Sequence, residues 1–201
     1  MIVSLERPDQ MTADVFLRWE PGDGQRYELV DGQPRAMAPA NVLHGLLLHG
    51  LLQSESSGLI RDHLRRQGKG CQVITAPGVI PRVLSGVLSA DNVRVPDLGV
   101  TCTPVRLGQQ TITDPILLIE ILSTSNRAET WSNVWTYTSI PSVREILVLL
   151  SDAVGAHLLG RDATGAWPET PERITDGDLV LSAIGFRVPL ADIYVGTDLI
   201  A

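Results

Sequence analysis

One lysine, Lys69, stands among 16 basic residues, so any activity that needs an ammonium group has a single candidate. Cysteine is nearly as scarce. Cys71 and Cys102 lack the spacing of a zinc ligand set, give no sign of an oxidising compartment and read as small core residues. No apolar run approaches the roughly 18 residues of a membrane span. The opening Met1-Ile2-Val3-Ser4-Leu5-Glu6-Arg7 lacks the basic-then-apolar order of a signal peptide, so a cytoplasmic location without membrane attachment is expected. A net charge of −7 argues against a general nucleic-acid binder, which needs a clustered positive surface. Gly 18 and Pro 13 are too few to indicate disorder, and no repeat or low-complexity linker interrupts the chain.

What is present is a chain of 201 residues, 44% hydrophobic and 19% charged, enough to bury a sizeable core. The pattern predicts one α/β domain over 1–201, with a core at about 12–152 and a C-terminal strand extension at about 153–201. Thr12 caps a short expected helix through Trp19. Gln25–Val30 and Gln33–Ala38 read as strands joined by Asp31-Gly32, the dipeptide suited to a type I′ hairpin turn. A long helix is expected after Pro39 from the recurrence of Leu43, Leu46, Leu47, Leu51, Leu59, Ile60 and Leu64, with Ser54–Gly58 as a point of weakness. Its basic end, Arg61, Arg65, Arg66 and Lys69, is a phosphate-contact candidate or simply a solvated helix end. His44 and His49 are not four apart, so they do not form a helical two-histidine metal face.

Arg94-Val95-Pro96-Asp97 opens the next strand, and Ile116–Ser123 is apolar on both faces except at Glu120, as in a strand covered from both sides. Carboxylates placed among buried strands need a proton, a hydrogen bond or a metal. Mg²⁺ prefers oxygen ligands and keeps several waters, so Asp97, Glu120 and the carbonyl of Ile121 form an adequate protein share. A helix over Ala128–Thr138 places Glu129, Asn133 and Tyr137 on one face, with Trp131 and Trp135 as core packing. A buried strand at Glu145–Asp152 and a meander of outer strands complete the chain.

Pro96-Asp97 followed by Glu120-Ile121-Leu122 resembles the PD-(D/E)XK nuclease pattern. More closely, the chain resembles the Uma-type restriction endonuclease family of that superfamily. The residues that carry this are Tyr27–Gly32, Met37-Ala38-Pro39 with His44, Val95-Pro96-Asp97, Ile119–Ser123, Tyr137 and Pro141–Glu145. The resemblance implies a mixed β-sheet flanked by helices, and Mg²⁺ or Mn²⁺ at Asp97 and Glu120. It also implies a supporting carboxylate from Glu28, His44 near the site, DNA as substrate and a homodimer. One departure stands out. The superfamily lysine two residues after the glutamate is Leu122 here, and the family's position between an acidic residue and a tyrosine is Asn133. The expectation is therefore either a slow nuclease or a nuclease fold kept as a nucleic-acid-binding or oligomeric interaction module.

Overall fold

A computed structural model describes residues 10–37, 43–81 and 91–200, with residues 43–48 as backbone only. Its centre is β5 (Pro115–Leu122), the apolar run, buried at every position but Ile116. β6 (Glu145–Leu150) lies parallel to it, Leu117 opposite Glu145 and Leu122 opposite Leu150. A parallel neighbour requires a crossover, and α3 (Arg127–Tyr137) provides it. On the other side β4 (Leu98–Thr101) runs antiparallel, with Leu98 opposite Ile119. β3 (Gln72–Thr75) lies beyond β4, and β7 (Ala156–Gly160) and β8 (Glu172–Ile174) lie beyond β6, giving the order β3-β4-β5-β6-β7-β8. This is the expected mixed sheet with helices on both faces and added strands toward the C-terminus.

Period-two alternation divides the sheet's side chains between two cores. Leu98, Leu117, Ile119, Ile121, Leu147 and Leu149 face α2 (Leu43–Gln67), whose Leu52, Ile60 and Leu64 cover them. Leu118, Leu122, Ile146 and Val148 face α3, meeting Val134 and Tyr137. Gly99 keeps β4 thin on that side: a Cβ there would stand 2.7 Å from Ile112 and 2.9 Å from Pro77. The end of α3 is closed by Arg161, whose guanidinium donates to the carbonyls of Thr138, Ile140 and Val143. Thr138 is the C-cap of α3, where a helix leaves carbonyls without partners, and Ile140 and Val143 belong to the turn that follows.

Near the N-terminus, β1 (Tyr27–Val30) and β2 (Gln33–Ala36) form the expected hairpin. Asp31 at φ 49° and Gly32 at φ 77° are both left-handed, as a type I′ turn demands. Leu29 then exchanges backbone hydrogen bonds with Val93, which brings β1 to the strand leading into Asp97. A four-residue helix, α1 (Ala13–Phe16), is capped by the Thr12 hydroxyl as expected.

Several expectations are corrected. α2 runs unbroken through Ser54–Gly58. The extended stretch before Asp97 reduces to single bridges at Val93 and Arg94, since Pro96 has no N–H to continue a ladder. β9 (Asp178–Leu181) and β10 (Phe186–Pro189) form a separate hairpin. With a 3₁₀ helix at Leu190–Tyr194, it joins the core beneath α2. Trp135 is 40% exposed, so only Trp131 of that pair is partly buried. Cys71, partly buried against the core beneath α2, and exposed Cys102 form a disulfide between the outer ends of β3 and β4 rather than two separate core residues. Among the described residues no helix is long and apolar enough to cross a membrane.

Candidate functional site

Asp97 immediately precedes β4, and the Leu98–Ile119 register sets it beside Glu120 and Ile121. Its Oδ2 accepts the Ile121 N–H at 2.7 Å, and its Oδ1 lies 3.0 Å from Nε2 of His49 on α2. Its main-chain carbonyl accepts from Gln53 Nε2 and from the Ala76 N–H, both at 2.8 Å. Ala76 makes that bond from φ 47°, a left-handed conformation that costs a non-glycine residue roughly 1–2 kcal/mol. Hydrogen bonding to Asp97 raises the pKa of His49 above 6.5, against the opposing effect of burial. His49 is thus held as the charge partner of Asp97.

Glu120 is 7% exposed on the α3 side of β5 and accepts the Tyr137 hydroxyl at 2.6 Å. Burial, then the nearby charge of Asp97, drives its pKa well above the usual carboxylate range, and the Tyr137 bond offsets only part of that. Tyr137 responds in kind. Its own burial and then the Glu120 charge push the phenol well above 10.0, so it remains a donor.

Glu28, from β1, is 4% exposed. The Val95 N–H donates to its Oε1 at 2.7 Å, Asn133 Nδ2 lies 3.4 Å from each carboxylate oxygen, and Arg94 Nη1 lies 3.7 Å from Oε2. The last three distances exceed those of good hydrogen bonds, so the carboxylate is loosely compensated. Burial raises its pKa despite the Val95 and Arg94 contacts. Arg94 is itself 5% exposed, and its Nε has no partner.

β1, the approach to β4, β5 and α3 thus bring Glu28, Asp97, Glu120 and Asn133 together, with the Ile121 amide bound to Asp97. Glu129, one turn before Asn133 on the same face of α3, is exposed, and its charge acts on Glu28 in the direction that raises the Glu28 pKa. His44 lies on α2, but its side chain falls outside the described residues. Sequence reasoning missed His49 and Arg94. His49 and Gln53, spaced i, i+4, grip opposite ends of Asp97, but nothing local announces a partner 48 positions away. Lys69 is excluded from the site. Gln67 already lies 18 residues beyond His49 on α2, about 27 Å at 1.5 Å per residue, at the other end of the sheet.

Among the described residues no three His, Cys, Asp or Glu side chains form a cage ready to enclose a metal. Asp97 and Glu120 do suit a hard divalent ion in donor chemistry. They are neighbouring carboxylates whose repulsion already disfavours double ionisation, and Mg²⁺ needs only one or two such ligands besides water.

Comparison with known proteins agrees with this fold. The chain is 28% identical over 189 residues to the uncharacterized protein slr1290 of Synechocystis sp. (strain ATCC 27184 / PCC 6803 / Kazusa), covering 93% of each. It shares its fold with a crystal structure described as that of a putative nuclease belonging to DUF820 from Anabaena variabilis ATCC 29413. The TM-score is 0.65 at 15% identity, over 91% of this chain and 97% of that one. Residues 13–189 match the model of the Uma2 family, described as "Putative restriction endonuclease". With that match spanning most of its length, the chain belongs to the Uma2 family.

Proposed function

We propose that this protein is a metal-dependent endonuclease that hydrolyses phosphodiester bonds of DNA. The observation that carries the reading is the neighbouring pair of half-buried Asp97, held by His49 and the Ile121 amide, and buried Glu120, held by Tyr137 alone. Asp97, Glu120 and the Ile121 carbonyl would hold Mg²⁺ or Mn²⁺. When bound, such an ion neutralises charge on the phosphate and makes water nucleophilic near neutral pH. The chain's own part is positional. Tyr137 fixes Glu120 and keeps one of its oxygens occupied, which directs the other lone pairs toward Asp97. His49 and Gln53 brace Asp97 from α2. Glu28 supports the pair from β1, and the family resemblance adds His44 as a second histidine near the site.

Asn133 replaces the lysine of the family pattern and reaches Glu28 with an amide. An amide can hold a water by hydrogen bonding but brings no charge. Arg94 supplies a fixed cation beside Glu28, although a guanidinium does not reproduce an ammonium. Losing one charge contact to the transition state costs about 10²–10³ in rate, so slow turnover is expected. The same substitution favours a second reading, a nuclease-fold module that binds nucleic acid with little or no cleavage. Incubating labelled DNA with the protein and Mn²⁺, beside Asp97→Ala, separates these readings. Cleavage that disappears in the variant supports the nuclease, cleavage unchanged by it rules the site out, and DNA binding without cleavage favours the module.

A further inference from the structure

A polar cavity of about 250 Å³ lies between α2 and the end of β3, lined by Gly50, Gln53, Ser54, Ser57, Arg61 and Thr75. We propose that it is a subsite for a backbone phosphate neighbouring the one that reaches Asp97 and Glu120. The inference rests on the nuclease reading above.

Gln53 joins the two places, because its amide lines the cavity and donates to the Asp97 carbonyl. Arg61 is exposed, and its Nη2 is steadied at 3.0 Å by the hydroxyl of Ser57, which is itself 5% exposed. That bond uses one of five guanidinium N–H donors and leaves a fork that suits two phosphate oxygens. Gly50, Ser54, Ser57, Arg61 and Arg65 follow one another at i, i+4, i+7, i+11 and i+15, so they share one side of α2. At 100° per residue the acidic residues of this stretch, Glu55 and Asp62, fall on other sides of the helix, as does Arg66. A polyanion drawn to a cluster of three carboxylates on a chain of net charge −7 requires local positive charge, and this row supplies it without an opposing carboxylate.

The test is binding of a labelled DNA duplex by wild type, Arg61→Ala and Arg66→Ala, by fluorescence anisotropy without divalent cation. Salt is varied between about 50 and 200 mM, and melting temperatures verify folding. Removing one phosphate contact lowers the slope of log affinity against log salt by about 0.9 and weakens binding about eightfold near 0.1 M. That change in Arg61→Ala with wild-type behaviour in Arg66→Ala is the expected result. Wild-type slope in Arg61→Ala, an equal loss in Arg66→Ala, or no binding by wild type would each overturn the subsite. The expected shift found in a protein that never cleaves with Mn²⁺ would support the subsite while refuting the nuclease reading.

Discussion

Glu145 and Glu120 lie on paired strands and look alike by burial, at 6% and 7% exposure, yet their surroundings differ in kind. The carboxylate of Glu145 accepts two backbone N–H groups, from Ser182 on Oε1 and Ala183 on Oε2, each at 2.9 Å. These bonds fasten the turn between β9 and β10 to the start of β6 and partly offset the burial that raises its pKa. Glu120 has a single phenol and faces another carboxylate. A buried charge surrounded by donors serves folding. One surrounded by like charge weakens the fold until a proton or a cation arrives.

The largest expected effect comes from supplying Glu28 and Glu120 with a cation. Asn133→Lys should raise the rate of Mn²⁺-dependent DNA cleavage by about 10²–10³, and an unchanged rate would show that Asn133 does not occupy the charge position. Next, Glu145→Ala strands two N–H groups and should cost about 2–4 kcal/mol by urea unfolding. Its Mn²⁺ affinity, measured by calorimetry, should match wild type. Loss of metal binding there would collapse the distinction between the two glutamates.

Glu120→Gln keeps an acceptor for Tyr137 and removes the repulsion. It should stabilise the metal-free protein by about 0.5–2 kcal/mol while abolishing Mn²⁺ binding. The smallest effect is on pH. Glu28, Glu120 and Glu145 all have pKa values raised above 4.5, so in the fold they retain protons that the unfolded chain has already lost. Stability of the metal-free protein should therefore fall as pH rises from about 4.5 through the raised values. Urea midpoints across that range should show a shallower slope in Glu120→Gln.

Much of this arrangement is legible in residue order, because local chemistry writes it there. Asp31-Gly32 specifies its turn, the run Pro115–Leu122 specifies a strand buried on both faces, and Pro96-Asp97 and Glu120 stand at the edge of that burial. Glu145 shows the limit. It follows Pro141–Arg144 in the family pattern and opens an apolar strand just as Glu120 interrupts one, and only Ser182 and Ala183 reveal its different duty. His49 and Arg94 were hidden for the same reason, since their partners are set by tertiary packing. The C-terminal hairpin illustrates it on a larger scale: residues 177–194 read as one further strand and a short terminal segment, and nothing local pairs β9 with β10 or puts Phe186 and Leu190 under α2. Trp135 has the spacing of a core residue and lies at the surface because α3 already buries Val134 and Tyr137 on its sheet side.

The Cys71–Cys102 bond, with a sequence separation of 31, also gives the molecule a covalent ring. Asp97 lies inside that ring, whereas Glu28 and Glu120 lie outside it, so the carboxylate cluster joins chain segments that differ in topology. A protease cut anywhere between the two cysteines would open the ring without releasing a fragment. The nicked protein would run as one species on a non-reducing gel and as two after reduction, with the fragment that carries Asp97 held to the other by the disulfide until the thiols are freed.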